Sequence, residues 1–238
     1  MTAESQANTE KGSSVGFDRE DIPGALPTHF PRAFKIGFWF CITIAVAVVL
    51  RRVVALSTPP DSNAPPQLAS LDAYFASHAT LTYIHILCSL AFVSLLPLLF
   101  WRRTRGSAII EQAFFLLGVL VGGTAYSMSI HAVGGTLERS AVLFFNTLFL
   151  ASLGFALLNK RRGNQEQKQR WMLRAIAIVL GIATTRPVMG VFFATSHFTG
   201  LTPQQFFGIA FWIGFTLNTL VMELWLHNRS LSAERTRL

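Results

Sequence analysis

Six runs of apolar residues, each long enough to cross a bilayer, alternate along the chain with short stretches rich in Lys, Arg, Pro or Gly. A helix rises about 1.5 Å per residue, so about 20 apolar residues span a hydrocarbon core of about 30 Å. The pattern predicts spans from about Ala33 to Leu56, His78 to Trp101, Ala108 to Ile130, Ala141 to Leu158, Trp171 to Thr195 and Gln204 to His227. The fold class is therefore expected to be all-α: a polytopic integral membrane bundle of about six helices. Residues 1–31 are polar and contain Gly, Ser and Pro. They bury too little apolar area to offset the entropy of ordering, and a disordered tail is expected. No basic start followed at once by an apolar core marks a secretory signal. The domain division is then 1–31 as a cytoplasmic tail, 32–229 as the six-helix domain and 230–238 as a second tail. The stretch 57–70 (STPPDSNAPPQLAS) reads as a loop, and Leu71 to Ser77 as a short interfacial turn.

The polar residues inside the spans fall into stripes. In the second span His78, Thr82, His85 and Ser89 recur at i, i+4, i+7 and i+11 and share one helix face. In the third, Thr124, Ser127 and His131 recur at i, i+3 and i+7. Gly118 and Gly122 stand four apart in the same span, the small-xxx-small spacing that lets helix backbones approach. Gly134 and Gly135 stop that helix, and Thr136 or Ser140 is expected to cap the next. The fourth span carries Asn146. The fifth carries Arg174, Arg186 and Pro187, which kinks a membrane helix. The sixth carries Asn218 and Glu223. Arg186 and His197 share a face of the fifth span, and Arg174 and Glu223 form a plausible structural ion pair near one membrane face.

Charge sets orientation. Of the 20 basic residues, fifteen fall on the side of the termini and of the second and fourth loops: Lys11, Arg19, Arg32, Lys35, Arg102, Arg103, Arg105, Lys160, Arg161, Arg162, Lys168, Arg170, Arg229, Arg235 and Arg237. Arg51, Arg52 and Arg139 fall on the other side. The positive-inside rule then places both termini in the cytoplasm of a bacterial inner membrane, with Arg51 and Arg52 as the facts against it. Only 13% of residues are charged, against about 25% in soluble domains. The formal charge of +8 comes from clusters that flank apolar runs, so it points to a lipid bilayer and not to nucleic acid. Anionic lipid is a candidate partner of the Lys160–Arg170 loop. Cys41 and Cys88 lie inside spans and read as packing residues. Oligomeric state has no signature.

The segment QRWMLRAIAIVLGIATTRPVM, residues 169–189, resembles the signature of an uncharacterised family of small bacterial multi-helix membrane proteins, defined only as a domain of unknown function. Members combine an early intramembrane His, a Gly-Gly turn, and HRRWM(I/L)R followed by an apolar helix ending in Arg. Here His85, Gly134 with Gly135, Trp171 with Met172, Arg174 and Arg186 hold those positions, and the resemblance covers about residues 80–190. The family's His before RRWM is Lys168 here. A further His, in an HR-x-x-G context, has no counterpart near Glu111 and Gln112. The resemblance implies a fold and a membrane location but no reaction, and loss here of any metal or haem site that members hold at the cytoplasmic face.

Three functional readings stand beside a structural one. A polar pocket that opens outward, lined by His85, Tyr126, His131, Arg186 and His197, would bind or transport a small polar or anionic molecule. Alternatively, His85, His131 and His197 would ligate haem b or a metal, because histidines projecting into a helix bundle hold haem. An intramembrane hydrolase finds no support, because HExxH, GxSxG and paired intramembrane carboxylates are missing from the sequence. In the structural reading the polar residues hydrogen-bond one another and the protein serves an accessory role.

Overall fold

A computed structural model describes residues 30–57, 76–101, 103–104, 106–200 and 202–235. Six helices follow in order: α1 (Arg32–Ser57), α2 (Ala79–Phe100), α3 (Ala108–Ser129), α4 (Gly135–Arg161), α5 (Gln165–Thr199) and α6 (Pro203–Arg235). All six are long and apolar enough to cross a membrane. The chain is an all-helical integral membrane protein whose outer surfaces meet lipid. The expected disordered tail falls almost wholly outside the described residues, as do His29, the loop at 58–70, most of the Leu71–Ser77 turn, Arg102 and Arg105.

The helices overrun the apolar runs. α4 begins at Gly135 and α5 at Gln165, about two turns before the apolar stretch in each case. Helix ends are set by local stops and caps, and hydrophobicity marks only the part in hydrocarbon. Gly163, at φ +73°, ends α4 in the left-handed conformation that costs glycine little. Asn164 Oδ1 accepts the Gln167 N–H 3.1 Å away and opens α5. At 35 residues, α5 is about 52 Å long, so its polar first turns extend beyond the hydrocarbon. Neither Thr136 nor Ser140 caps α4. The Gly134 N–H instead donates to Glu138 Oε2 at 2.5 Å, and the Ser140 hydroxyl bonds the Leu137 carbonyl. A Glu one turn inside the helix reaches back more easily than a short hydroxyl does.

Neighbour contacts run α1–α2, α2–α3, α3–α4, α4–α5 and α5–α1, which closes a ring. α6 packs against α4 and α5. Phe30 at the head of α1 touches Phe100 and Trp225 at the ends of α2 and α6. Together with the Lys/Arg loops these mark one end of the bundle, the basic face. Ser57 meets Tyr83, and His78 meets His131, at the opposite end, the far face. Phe92, Phe114 and Phe149 interlock between α2, α3 and α4, with Phe92 and Phe114 fully buried. Ile36, Leu116, Leu148 and Leu220 point outward, where lipid replaces a protein core.

Small residues set the closest approaches. Gly118 and Gly122 receive Leu153 and Leu150 of α4, so the small-xxx-small spacing marks a real helix contact. The tighter pair is α5–α6, which is reciprocal. Gly181 sits against Phe215, and Gly214 faces the backbone of Thr185, where an added Cβ would lie 2.7 Å from the amide nitrogen. Backbone cannot rotate aside as a side-chain tip can. Gly214→Ala should therefore lower the stability of the detergent-solubilised protein by about 1–3 kcal/mol. Gly123 faces open space, and Gly123→Ala should change it by less than about 0.5 kcal/mol. Denaturant titration of both variants checks the contrast.

Candidate functional site

The stripes of α2 and α3 face each other. His85 Nδ1 lies 2.8 Å from Thr124 Oγ1, and the Thr124 hydroxyl is 2.8 Å from the Leu120 carbonyl. A hydroxyl has one proton. If it goes to the carbonyl, His85 donates from Nδ1 and keeps its Nε2 lone pair, with Ser89 Oγ 3.5 Å away. About two turns nearer the far face, the His78 and His131 rings sit with centroids 4.0 Å apart. The two stripes thus meet at two levels. His85 lies about 10 Å along the helix from His78, and therefore from the ring of His131 packed on it.

Tyr126 turns the other way, toward α4, where its hydroxyl meets Thr147 Oγ1 at 2.7 Å. Asn146 donates to the Gly122 carbonyl at 2.9 Å, also between α3 and α4. His197 lies on the last turns of α5, and its side chain is outside the described residues. Among the described residues, no hydrogen bond or ring contact joins His85, Tyr126, His131 and Arg186 to one another. The sequence grouped them because all lie toward one membrane face, but they sit at different levels and in different contacts.

Arg186 is the exception to this pairing. Among the described residues its buried Nε has no hydrogen-bond partner, and its Nη1 reaches only Met189 Sδ, at 3.9 Å. Arg51, Arg52 and Glu138 lie within electrostatic reach of its guanidinium. Glu138 is the Gly134 partner at the start of α4, and Arg51 and Arg52 stand near the end of α1. Sequence reasoning took Arg51 and Arg52 only as a topological anomaly. Basic residues at the end where the positive-inside bias disfavours them were the signal that pointed here. It also missed the mid-bundle chain Cys41–Thr184–Asn218. There Thr184 donates to Asn218 Oδ1 at 2.9 Å, and Cys41 Sγ lies 3.8 Å from Thr184 Oγ1, tying α1, α5 and α6.

At the basic face the QRWMLR segment works as a fastener. Arg174 makes two hydrogen bonds to Glu223 of α6, at 2.5 and 2.9 Å, and lies over the Trp171 ring at 4.5 Å. Trp171 packs on Phe155 of α4, Met172 is buried, and Arg170 pairs with Glu166 one turn away. This signature therefore sits on the seam of α4, α5 and α6. Residues 82–226 match a family described as predicted membrane protein, DUF2306. The chain belongs to that family. No curated protein and no solved structure matches it.

The match begins at Thr82 and ends at Leu226, so it spans from α2 into α6 and leaves out α1. Within this DUF2306 chain the two places that depart from the resemblance meet. Lys168 Nζ lies 2.9 Å from Glu111 Oε2, and Lys160 Nζ lies 3.0 Å from Glu111 Oε1. One carboxylate at the start of α3 thus clasps the end of α4 and the start of α5. The Lys168 side chain is only 4% exposed, so its charge depends on that carboxylate. Breaking a buried pair from one side typically costs about 3–5 kcal/mol, because the remaining charge is stranded. Glu111→Gln should approach the lower end of that range, while the double variant Glu111→Leu/Lys168→Met should recover most of the loss. Denaturation midpoints of the two proteins, measured side by side, test this; equal losses would disprove the clasp.

Proposed function

We propose that this membrane protein binds a small anionic molecule at its far face, with Arg186 as the receiving cation, and takes part in its transport or sensing. Arg186 Nε carries this reading: a buried donor with no acceptor among the described residues. A guanidinium cannot shed its charge in a protein and has five donors to satisfy. A carboxylate or phosphate oxygen would satisfy Nε and pair with the charge, and an Arg fork suits either group. The gathering of Arg51 and Arg52 around it favours the same charge type. The haem alternative gains nothing from His85 and His131, which are held at different depths in separate contacts.

In this reading the basic face is cytoplasmic and the far face opens to the outside of a bacterial inner membrane. The distribution of Lys and Arg supports that orientation. The Lys160–Arg170 loop would then lie against the leaflet where anionic headgroups attract basic residues by about 1 kcal/mol each. Asn164→Cys and Thr199→Cys, each in a Cys41→Ala/Cys88→Ala background, should react with an impermeant maleimide from opposite sides of sealed vesicles. Labelling of both from the same side would refute the crossing by α5.

The binding site itself has a two-part test. Met is close to Arg in bulk and carries no charge. Arg186→Met should therefore leave the ligand-free protein as stable as the parent or more so, as replacement of uncompensated buried charge often does. The parent should be stabilised by inorganic phosphate or small carboxylates, by about 2.7 kcal/mol at a hundredfold excess over Kd. Arg186→Met should lose that gain. A destabilised variant, or a parent indifferent to every anion tried, would return Arg186 to a structural role.

A further inference from the structure

The structure places a second site at the far face, separate from Arg186. We propose that His78 and His131 together bind a divalent first-row transition-metal ion of the zinc, nickel or copper type. The two imidazoles come from different helices, with centroids 4.0 Å apart and ring planes 40° apart. His78 is the N-cap residue of α2 and His131 lies two residues past α3. Residues at helix ends can turn their rings without disturbing a packed helix, and His131 is exposed. A shared metal needs each ring nitrogen about 2.0–2.1 Å away. In the proposed site the two tilted rings turn about their side-chain torsions so that one nitrogen of each faces the same ion.

The surroundings favour this use of the pair. Ser77 Oγ lies 2.9 Å from His78 Nδ1. In the tautomer that donates Nδ1–H to Ser77, Nε2 carries the lone pair, the arrangement in which an outer hydrogen bond orients a metal-binding imidazole. Imidazole suits zinc, nickel and copper, whereas magnesium and calcium take oxygen ligands. Among the described residues no third His, Cys, Asp or Glu completes a cluster. In the proposed site the two imidazoles are the histidine ligands and water fills open coordination positions. Such a site is open and binds less tightly than a closed four-ligand site, and it exchanges its ion with the solution. Occupied, it would tie the start of α2 to the end of α3, reinforcing the His85–Thr124 contact deeper in the same seam.

The test uses the full chain, purified in detergent without a polyhistidine tag and freed of metal with chelator. Titration calorimetry with Zn²⁺ should give one saturable site per chain, and Mg²⁺ should give none. His131→Asn and His78→Asn should each weaken Zn²⁺ binding at least tenfold. His227→Asn, which changes an exposed histidine on α6, should leave it unchanged. Because His131 is exposed at a helix end, His131→Asn is expected to fold, and it decides the matter should His78→Asn fail to. One equivalent of Cu²⁺ should show two imidazole nitrogens by pulsed paramagnetic resonance in the parent and one in His131→Asn. The absence of saturable Zn²⁺ binding, or binding that survives His131→Asn undiminished, would overturn the proposal.

Discussion

Every polar group inside a hydrocarbon layer must find its partner within the protein, and this constraint orders the whole bundle. A backbone satisfies itself by forming helix. Side chains have no such internal solution and must reach a neighbour. That is why polar positions here lie on seams: His85 on Thr124 between α2 and α3, Tyr126 on Thr147 and Asn146 on the Gly122 carbonyl between α3 and α4, Thr184 on Asn218 between α5 and α6. Hydroxyls without a neighbour turn back on their own helix, as Thr185 does on the Ile182 carbonyl just before Pro187. Apolar packing could slide along a helix; these pairs fix register and rotation.

The two ends of the bundle obey different physics. At the basic face, water and headgroups are near, and ions replace hydroxyls as the connectors. Glu111 joins α3 to α4 and α5, and Arg174 joins α5 to α6. The first is nearly dry at Lys168, whereas the second is about a quarter to two-fifths exposed. The Glu111 clasp is therefore the costlier one to break. Because α3, α4 and α5 all begin or end there, it holds the basic loops in place and with them the face that determines orientation.

Much of this was legible in the sequence, and what escaped shares one cause. Span number and approximate position follow from apolar run length, a property of single helices. Gly118 and Gly122 were legible because their spacing repeats along one helix. The stripes on α2 and α3 were visible too, but not that each was the other's partner. Periodicity gives the face of a helix, and only the bundle shows what that face meets. Gly181, Gly214 and Cys41 carry no pattern at all; each matters through a residue 29 or more positions away. The same limit explains why His85, Tyr126, His131 and Arg186, all in the half of the bundle toward the far face, were grouped as one pocket. Lying toward one face is a position along the membrane normal, while convergence also requires matching depth and the right rotation about each helix axis.

Arg186 then stands out by magnitude. An arginine at the centre of a membrane helix costs about 2.5–3.5 kcal/mol on insertion scales. Hydrogen bonds between membrane helices contribute about 0.6 kcal/mol each, so roughly four to six would be needed to offset it. Among the described residues, Arg186 has a single weak contact to a thioether and a buried Nε with none. Moreover, two of the charges nearest it are of its own sign, Arg51 and Arg52. A bundle that resolves its other intramembrane polar groups so locally has the means to resolve this one as well, with one acid or amide on α1 or α4. Among the described residues Glu138 is a carboxylate within electrostatic reach; its Oε2 accepts the Gly134 N–H, and no ion pair joins it to Arg186. A cation held in a low-dielectric setting without a dedicated counter-ion attracts an anion more strongly than the same cation at the surface. In the proposed reading, this is the physical difference between a residue that fastens helices and one that receives a ligand.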